Sequence, residues 1–516
     1  MTNMPIPTRL RLPGFFSSTW VRPIVLTMLL GCGAATFHVR ADKPIPSLFQ
    51  CGGELEASVW RQWSATGKEY LEKQLIGRRL LEQGDTYALY DIETFFHNLL
   101  AMAQRCQRID RQLELAEAVR LTYSRLEQVP TGEGQAWLCR GGTVCNPKNR
   151  LINSEVMLTS VQFLAFAIDI GNSLVRSATA TQSGAFADET GRIAVEHLQR
   201  WGSLQARSAL RARIAAKPGD VKNGSSALFL TDKDLWQIAI YADLAGVLDL
   251  RPSLREDLNL DEEKTAVLRE HLTLLLKLFR ARTTLMNARN ADGKQVVVAD
   301  LDRGFWRLYA DNQYASYNGV APPVSCVELP GDLGQKKIRR GVDASSLPTS
   351  ETLGWDISHA RRLIHFFNAI DRNRSALMST FSLSGNDLPT QQVVAAFARQ
   401  LTINVWNQNT DYPLFANYYN GVNGWYRVAY DNGTGRCTEG YSPYGLSNSF
   451  PSGGYASWGV WDSSIDILSR RLYMLTKSND DYNKLFIKKY YKELGDDVRA
   501  DVRQRYQMMF WPALVK

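Results

Sequence analysis

Residues 235 to 248 read LWQIAIYADLAGVL, a helical run with no polar face, broken only by Gln237 and Asp243. A helix that is apolar almost all round must be enclosed on every side. Thr231 and Asp234, just upstream, have the spacing of a capping box and mark its start. The next segment, Asp261 to Arg280, is different: Leu268, Leu272, Leu275, Leu276 and Phe279 form a single stripe. The same contrast occurs earlier. VMLTSVQFLAFAIDI, residues 156 to 170, is apolar all round and follows Asn153-Ser154, which can cap it, whereas Gly191 to Trp201 is apolar on one face. Tyr87 to Cys106 carries Ile92, Phe95, Phe96, Leu99, Ala103 and Cys106 on one stripe, and Ile109 to Leu126 follows at once, so the two read as a helical hairpin.

Enclosed helices alternating with half-buried ones are what a double ring of helices requires, with the inner set shielded by the outer. The periodicity predicts roughly ten to twelve helices, and no period-two run beyond short pieces such as KQVVVADL (294–301). The expected class is mainly α, an (α/α) barrel or toroid of helical hairpins with long aromatic-rich loops in the C-terminal half. The alternative is an irregular bundle or a solenoid. The lack of a fixed repeat period weighs against the solenoid.

The first 41 residues hold Arg9, Arg11, Arg22 and Arg40 and no acid, around an apolar run from Ile24 to Phe37 that is short for a membrane span. This is the layout of a secretory signal. Cleavage after Ala41 would leave residues 42–516 as a single barrel-like catalytic domain, periplasmic or secreted. Leu29-Leu30-Gly31-Cys32 resembles a lipobox, and lipidation at Cys32 would make the chain an outer-membrane lipoprotein, the one route to a membrane partner. An uncleaved anchor is the third outcome.

Either processing route removes Cys32 and leaves Cys51, Cys106, Cys139, Cys145, Cys326 and Cys437, an even set for an oxidising compartment. Six cysteines permit about 15 pairings. Cys139 and Cys145 flank a Gly-rich turn and can close on each other, and Cys51 with Cys106 and Cys326 with Cys437 is the economical completion. No zinc spacing occurs, and no nucleotide, serine-hydrolase or metalloprotease motif sits in a fitting context, so neither metal nor cofactor is expected. The formal charge of +8 falls to +4 without the four signal arginines, too mild an excess to suggest nucleic acid.

In organisation the chain resembles the (α/α)-barrel or toroid enzymes that act on polysaccharides: exported, built of helical hairpins, with long aromatic loops between late helices. The likeness spans most of residues 50 to 500. It is architectural and carries no family-specific motif, so it transfers no catalytic residue.

Two stretches leave the helical rhythm, 281–352 and 407–461. Loops this long in a helical protein are usually functional. The second interleaves aromatics with Asn and Gly, which suits a sugar: its C–H faces stack on rings and its hydroxyls need polar partners. Expected substrate-binding residues are Arg362, Tyr418, Tyr419, Asn423, Trp425, Tyr426, Arg427, Trp458 and Trp461. The competing reading is that these rings pack the loops onto the helices.

Glycoside hydrolysis needs two carboxyl groups with separated pKa values. Asp311, Glu328, Asp356 and Asp462 are the candidates, with Glu328 and Asp356 preferred and His359 assisting. Asp356 and His359 stand three apart at the start of the helix in LGWDISHARRLIHFFN (353–368), where Asp356 can also be a simple cap. The leading expectation is an exported glycoside hydrolase acting on a polysaccharide or oligosaccharide. The alternatives are a polysaccharide lyase that cleaves an acidic glycan by β-elimination, using His359, arginines and tyrosines, and a non-catalytic glycan-binding or envelope-assembly protein.

Overall fold

Apolar stripes become helices along most of the chain. The computed structural model of the protein describes residues 45–516, except 131, 133, 147–148, 178–180, 329–335 and 432–436; of 181–183, 328, 336 and 337 it describes the backbone alone. The expected signal segment, Cys32 included, lies outside the described residues.

The first helix, α1 (Glu54–Gln62), runs on through π-helical turns to Glu82. Then come α2 (Tyr87–Arg105) and α3 (Ile109–Arg120), the expected hairpin, and a small ladder of β1 (Leu126–Gln128) with β2 (Gln135–Trp137). The next helices are α4 (Met157–Ser177), α5 (Thr181–Trp201), α6 (Leu204–Ala215), α7 (Asp232–Leu250), α8 (Pro252–Asp257) and α9 (Glu262–Arg282). Two antiparallel hairpins follow: β3 (Thr283–Arg289) with β4 (Gln295–Leu301), and β5 (Val324–Glu328) with β6 (Lys336–Arg340). The chain ends with α10 (Ile357–Ala360), α11 (Arg362–Phe381), α12 (Gln391–Gln400), α13 (Ser449–Ser452), α14 (Ser463–Thr476), α15 (Asp481–Tyr490) and α16 (Ala500–Phe510). The protein is mainly helical.

The enclosed helices are the ones the sequence marks. Every residue of α7 from Asp234 to Leu248 is buried, and α7 packs against α4 on one side and α11 on the other. In turn α4 lies between α7 and α2, while α3, α5 and α9 bury one face each. Helix α4 is long and apolar enough to cross a membrane, but it is mostly enclosed by these neighbours, as a core helix is. The capping box forms as read: the Thr231 N–H and hydroxyl both donate to Asp234 Oδ2, at 2.7 and 2.8 Å.

Other local expectations shift. Ser154 does not cap α4, because its hydroxyl donates to the Leu151 carbonyl (2.7 Å) and Asn153 is left-handed (φ +64). Helix α5 begins at Thr181, ahead of the expected Gly191. The KQVVVADL piece proves to be half of a seven-rung hairpin. Inside α11, Asn373 leaves helical geometry, since its side chain bonds back to the Ala369 carbonyl (2.9 Å) and across to Asp243 (2.7 Å).

Three disulfides are present, Cys51–Cys106, Cys139–Cys145 and Cys326–Cys437, with Cα separations of 5.3, 6.3 and 5.8 Å. The third joins β5 to the loop between α12 and α13, so the two irregular stretches are covalently linked. Asp302, in the left-handed region (φ +55), anchors the first of them by accepting from Trp306 Nε1 (2.7 Å) and the Leu230 N–H (3.1 Å).

Candidate functional site

Asp356 is the N-cap of α10. Its Oδ1 accepts from the Ser358 N–H (2.9 Å), the Ser358 hydroxyl (2.5 Å) and the His359 N–H (3.1 Å). Its Oδ2 faces His359 Nδ1 at 2.5 Å. Burial alone would raise this carboxyl's pKa, but the His359 imidazole, the hydrogen bonds and Arg427 outweigh it and hold Asp356 far below the usual range. Asp356 is therefore an acceptor only, so Nδ1 of His359 carries the proton of their bond, and in the neutral imidazole the lone pair is the one on Nε2. The imidazole packs beside Trp306 and Trp355, centroids 5.9 and 6.1 Å away, and its side chain stays 17% exposed. One carboxylate thus starts a helix and aims a solvent-reachable base.

The loop after α12 brings a second carboxylate into range. Arg427 adopts a left-handed backbone (φ +52), uncommon for a side-chain-bearing residue. Its N–H donates to the Asp311 carbonyl (3.0 Å) and its Nε to Asp311 Oδ2 (3.1 Å). The guanidinium lies 4.6 Å from the Tyr430 ring and 5.2 Å from that of Tyr426. Burial raises the pKa of Asp311, and Arg427 and His359 only partly oppose it. Asp311 consequently favours its protonated form more than an ordinary aspartate does.

The opposite wall comes from helix starts. Arg362, the first residue of α11, donates to the Ser358 carbonyl (2.6 Å) and to the Tyr90 hydroxyl (2.9 Å), and sits 3.5 Å from Asp232, the first residue of α7. Tyr90 belongs to the first turn of α2. Tyr430, whose ring faces Arg427, is near enough to Asp311, Tyr87 and Tyr90 for their charges to affect one another. His359, Asp311, Arg427, Tyr430, Tyr90, Arg362 and Asp232 therefore belong to one cluster, where the N-terminal ends of α2, α7 and α11 meet.

Below this cluster a polar column continues into the bundle. Arg361 contacts Glu93 at 3.2 Å. Burial would raise the Glu93 pKa, but Arg361, His97 and His365 bring it down to about 2. His97 bonds the Glu93 carbonyl (2.9 Å), and burial pushes its pKa down to about 4. A cavity of about 20 Å³ beside these groups, large enough for one water, reaches Asp169 and Asp243. Arg372 pairs with both, at 2.7 and 2.8 Å. Glu93, His97 and His365 place ligand-type atoms within 4.8 Å of one another. However, the carboxylate already faces Arg361, and Arg362 adds a second cation nearby. This set reads as a structural network rather than a metal centre.

Of the expected site residues, Asp311, Asp356, His359, Arg362 and Arg427 come together. Asp356 serves differently from expectation, as the partner of His359. The side chain of Glu328, the other preferred carboxyl, lies outside the described residues. Asp462 caps α14 through the Ser464 N–H (3.0 Å) and accepts from Thr402 (2.6 Å), sharing no contact with His359 or Asp311 among the described residues.

The expected stacking platform is corrected by burial. Tyr418 and Tyr419 are 0% exposed and Trp458 1%, and Trp425 and Tyr426 are also buried. Three polar tips are spent internally: Tyr418 on Asn312 (3.2 Å), Tyr419 on the Phe397 carbonyl (2.7 Å) and Trp425 on the Gly319 carbonyl (2.7 Å), whereas the Tyr426 hydroxyl and Trp458 Nε1 are buried without a hydrogen-bond partner among the described residues. Asn423 accepts the Asn417 and Tyr444 N–H groups, at 3.3 and 2.8 Å, and so braces the loop. Trp461 is half-buried against the core. Tyr418, Tyr419, Tyr426 and Trp458 are part of the main hydrophobic core and Trp425 of a small satellite cluster, because large apolar surface is removed from water whenever the fold allows.

Sequence reading missed Tyr90 and Asp232. Tyr90 is off the stripe of α2 and Asp232 sits inside a capping box, so each has an ordinary local explanation. Compared with family models, with characterised proteins and with solved structures, the chain matches none.

Proposed function

We propose that the protein is a polysaccharide-cleaving enzyme of helical-toroid architecture whose chemistry runs at the His359 cluster, and that it acts by β-elimination on a glycan containing uronic acid units. The chain of contacts α2 to α4 to α7 to α11, with a polar column between these helices, supports a ring with a polar axis. The observation that carries the chemistry is the Asp356–His359 hydrogen bond, on a carboxylate already filled by its capping contacts. Such a carboxylate cannot protonate a leaving group. It can hold an imidazole in the tautomer whose Nε2 takes a proton.

In the elimination, His359 Nε2 removes the proton on C5 of the uronate. The electron pair forms the C4–C5 double bond, the C4–O bond breaks, and Asp311 gives its proton to the departing oxygen. Protonation frees Arg427 from Asp311, so the guanidinium can turn to the sugar carboxylate and stabilise the charge that builds there. Hydrolysis, the leading expectation from sequence, calls for two carboxyl groups across the scissile bond. Asp356 is withdrawn from that role, which favours elimination.

Incubation with polygalacturonate and polymannuronate tests this. The expected products are chains with an unsaturated, ultraviolet-absorbing end, absent with His359→Ala. New reducing ends without that absorbance would restore the hydrolase reading, and neither product would point to a glycan-binding protein.

A further inference from the structure

Beside the His359 cluster lies a larger cavity, of about 450 Å³, lined by Asn223, Tyr309, Gln313, Arg340, Asp343 and Ser350 among others. That volume falls in the range of small-molecule sites. Tyr309 stands between the two places. It lines the cavity, and its ring packs edge-on to Phe229 (5.3 Å) and to Trp306 (5.4 Å), whose ring lies 5.9 Å from that of His359. The cavity and the His359 cluster are neighbours across the Trp306 and Tyr309 rings.

The charges in the cavity are unevenly engaged. Arg307 is paired with Glu351 at 2.5 Å. Asp343 is turned onto Ser345, whose N–H and hydroxyl donate to it at 3.1 and 2.6 Å. Arg340, at the end of β6 opposite Val324, is exposed and forms no ion pair among the described residues. Of the two lining arginines it is the one with no carboxylate hydrogen-bonded to it among the described residues, although its charge also acts on Asp343 and Tyr314. The hairpin that carries it is fastened through Cys326 to Cys437, in the loop that carries Arg427. A single covalent brace therefore links the two arginine-bearing segments.

We propose that this cavity is a second sugar subsite that takes an acidic unit one beyond the two joined by the cleaved bond, with Arg340 as the partner of its carboxylate. The inference rests on the elimination reading. It makes the enzyme sensitive to chain length, because only a substrate long enough to pass Tyr309 gains the Arg340 contact.

Size-graded oligogalacturonates and oligomannuronates of two to six units provide the test, with kcat and KM measured for the wild type, Arg340→Ala and Arg340→Lys. The wild type should show kcat/KM rising with length. Arg340→Ala should lose about tenfold on the longer chains, mainly in KM, and nothing on the shortest; Arg340→Lys should recover part of the loss. The exposed position keeps folding out of the comparison, which thermal midpoints verify. An Arg340→Ala length profile parallel to the wild type's would overturn the subsite while leaving elimination standing. No cleavage of any length by the wild type would overturn elimination and the subsite together.

Discussion

At Asp356 the two oxygens of one carboxylate can be separated by experiment, because capping and imidazole orientation have different chemical requirements. Asparagine caps a helix about as well as aspartate. It is neutral, however, and cannot hold His359 in its tautomer or stabilise the imidazolium that forms when Nε2 takes a proton. Asp356→Asn should therefore keep the helix start while kcat falls roughly 100-fold or more, with the thermal midpoint lowered only by the lost pairing of the carboxylate with His359. Asp356→Ala should lose the same activity and, in addition, about 1 kcal/mol of stability from the missing cap. Steady-state rates and thermal unfolding of the two variants side by side check this, and an active Asp356→Asn would remove His359 from the chemistry. The pair was visible in the sequence because three-residue spacing places the side chains on adjacent helical positions. Its hydrogen-bond pattern was not, since a cap and an oriented dyad share the same letters.

Among the elements, those that hydrophobic periodicity specifies were the most legible. Helices α4 and α7 are apolar all round because both faces meet other helices, and α9 has one stripe because one face meets water. The long loops were legible as loops but not in their inner packing. Tyr418, Tyr419 and Trp458 carry the same residue types that a sugar platform would, and only the path of the backbone decides which ring faces inward. Glycine-rich spacing fixes no such path. The covalent tie does: Cys326–Cys437 closes a separation of 111 residues, and a cross-link over so long a loop restricts the unfolded chain strongly. Replacing both cysteines by alanine should cost roughly 2–4 kcal/mol of stability. It should also reduce activity, since Arg427 and the β5–β6 hairpin lose their shared anchor. Denaturant unfolding and product assays check both effects. A stable but inactive variant would assign the bond chiefly to positioning, and a fully active one would show that packing alone holds the loop.

Across the whole molecule, the buried titratable groups oppose one another. Burial first of all lowers the pKa of His97 and His271 to about 4 and of His197 to about 3, and it lowers His365 as well. Each stays neutral in the folded state after its unfolded counterpart, near 6.5, has taken a proton. The histidines therefore supply stability that is complete above about pH 6.5 and drains away as pH falls towards their folded values. Asp169 and Asp300, raised to about 6, and Asp302, raised to about 7, again chiefly by burial, act in the other direction. They take up protons in the folded state over the same interval, while unfolded aspartates wait until about pH 3.9. Four histidines against these three carboxyls leave at most about one proton in favour of the unfolded state, since burial raises Asp91 and Asp311 as well. Stability should then fall by at most on the order of 1.4 kcal/mol per pH unit between about pH 6 and 4.5, far less than the histidines alone would impose. Below about pH 4 the compensation ends. Glu93, held to about 2, and Asp356, held lower still, must then be protonated out of their ion pairs, and the loss should steepen. Urea midpoints across this range measure the slope directly. Asp302→Asn removes one opposing proton and should at least roughly double it; an unchanged slope in that variant would show that Asp302 is ionised in the folded protein despite its burial.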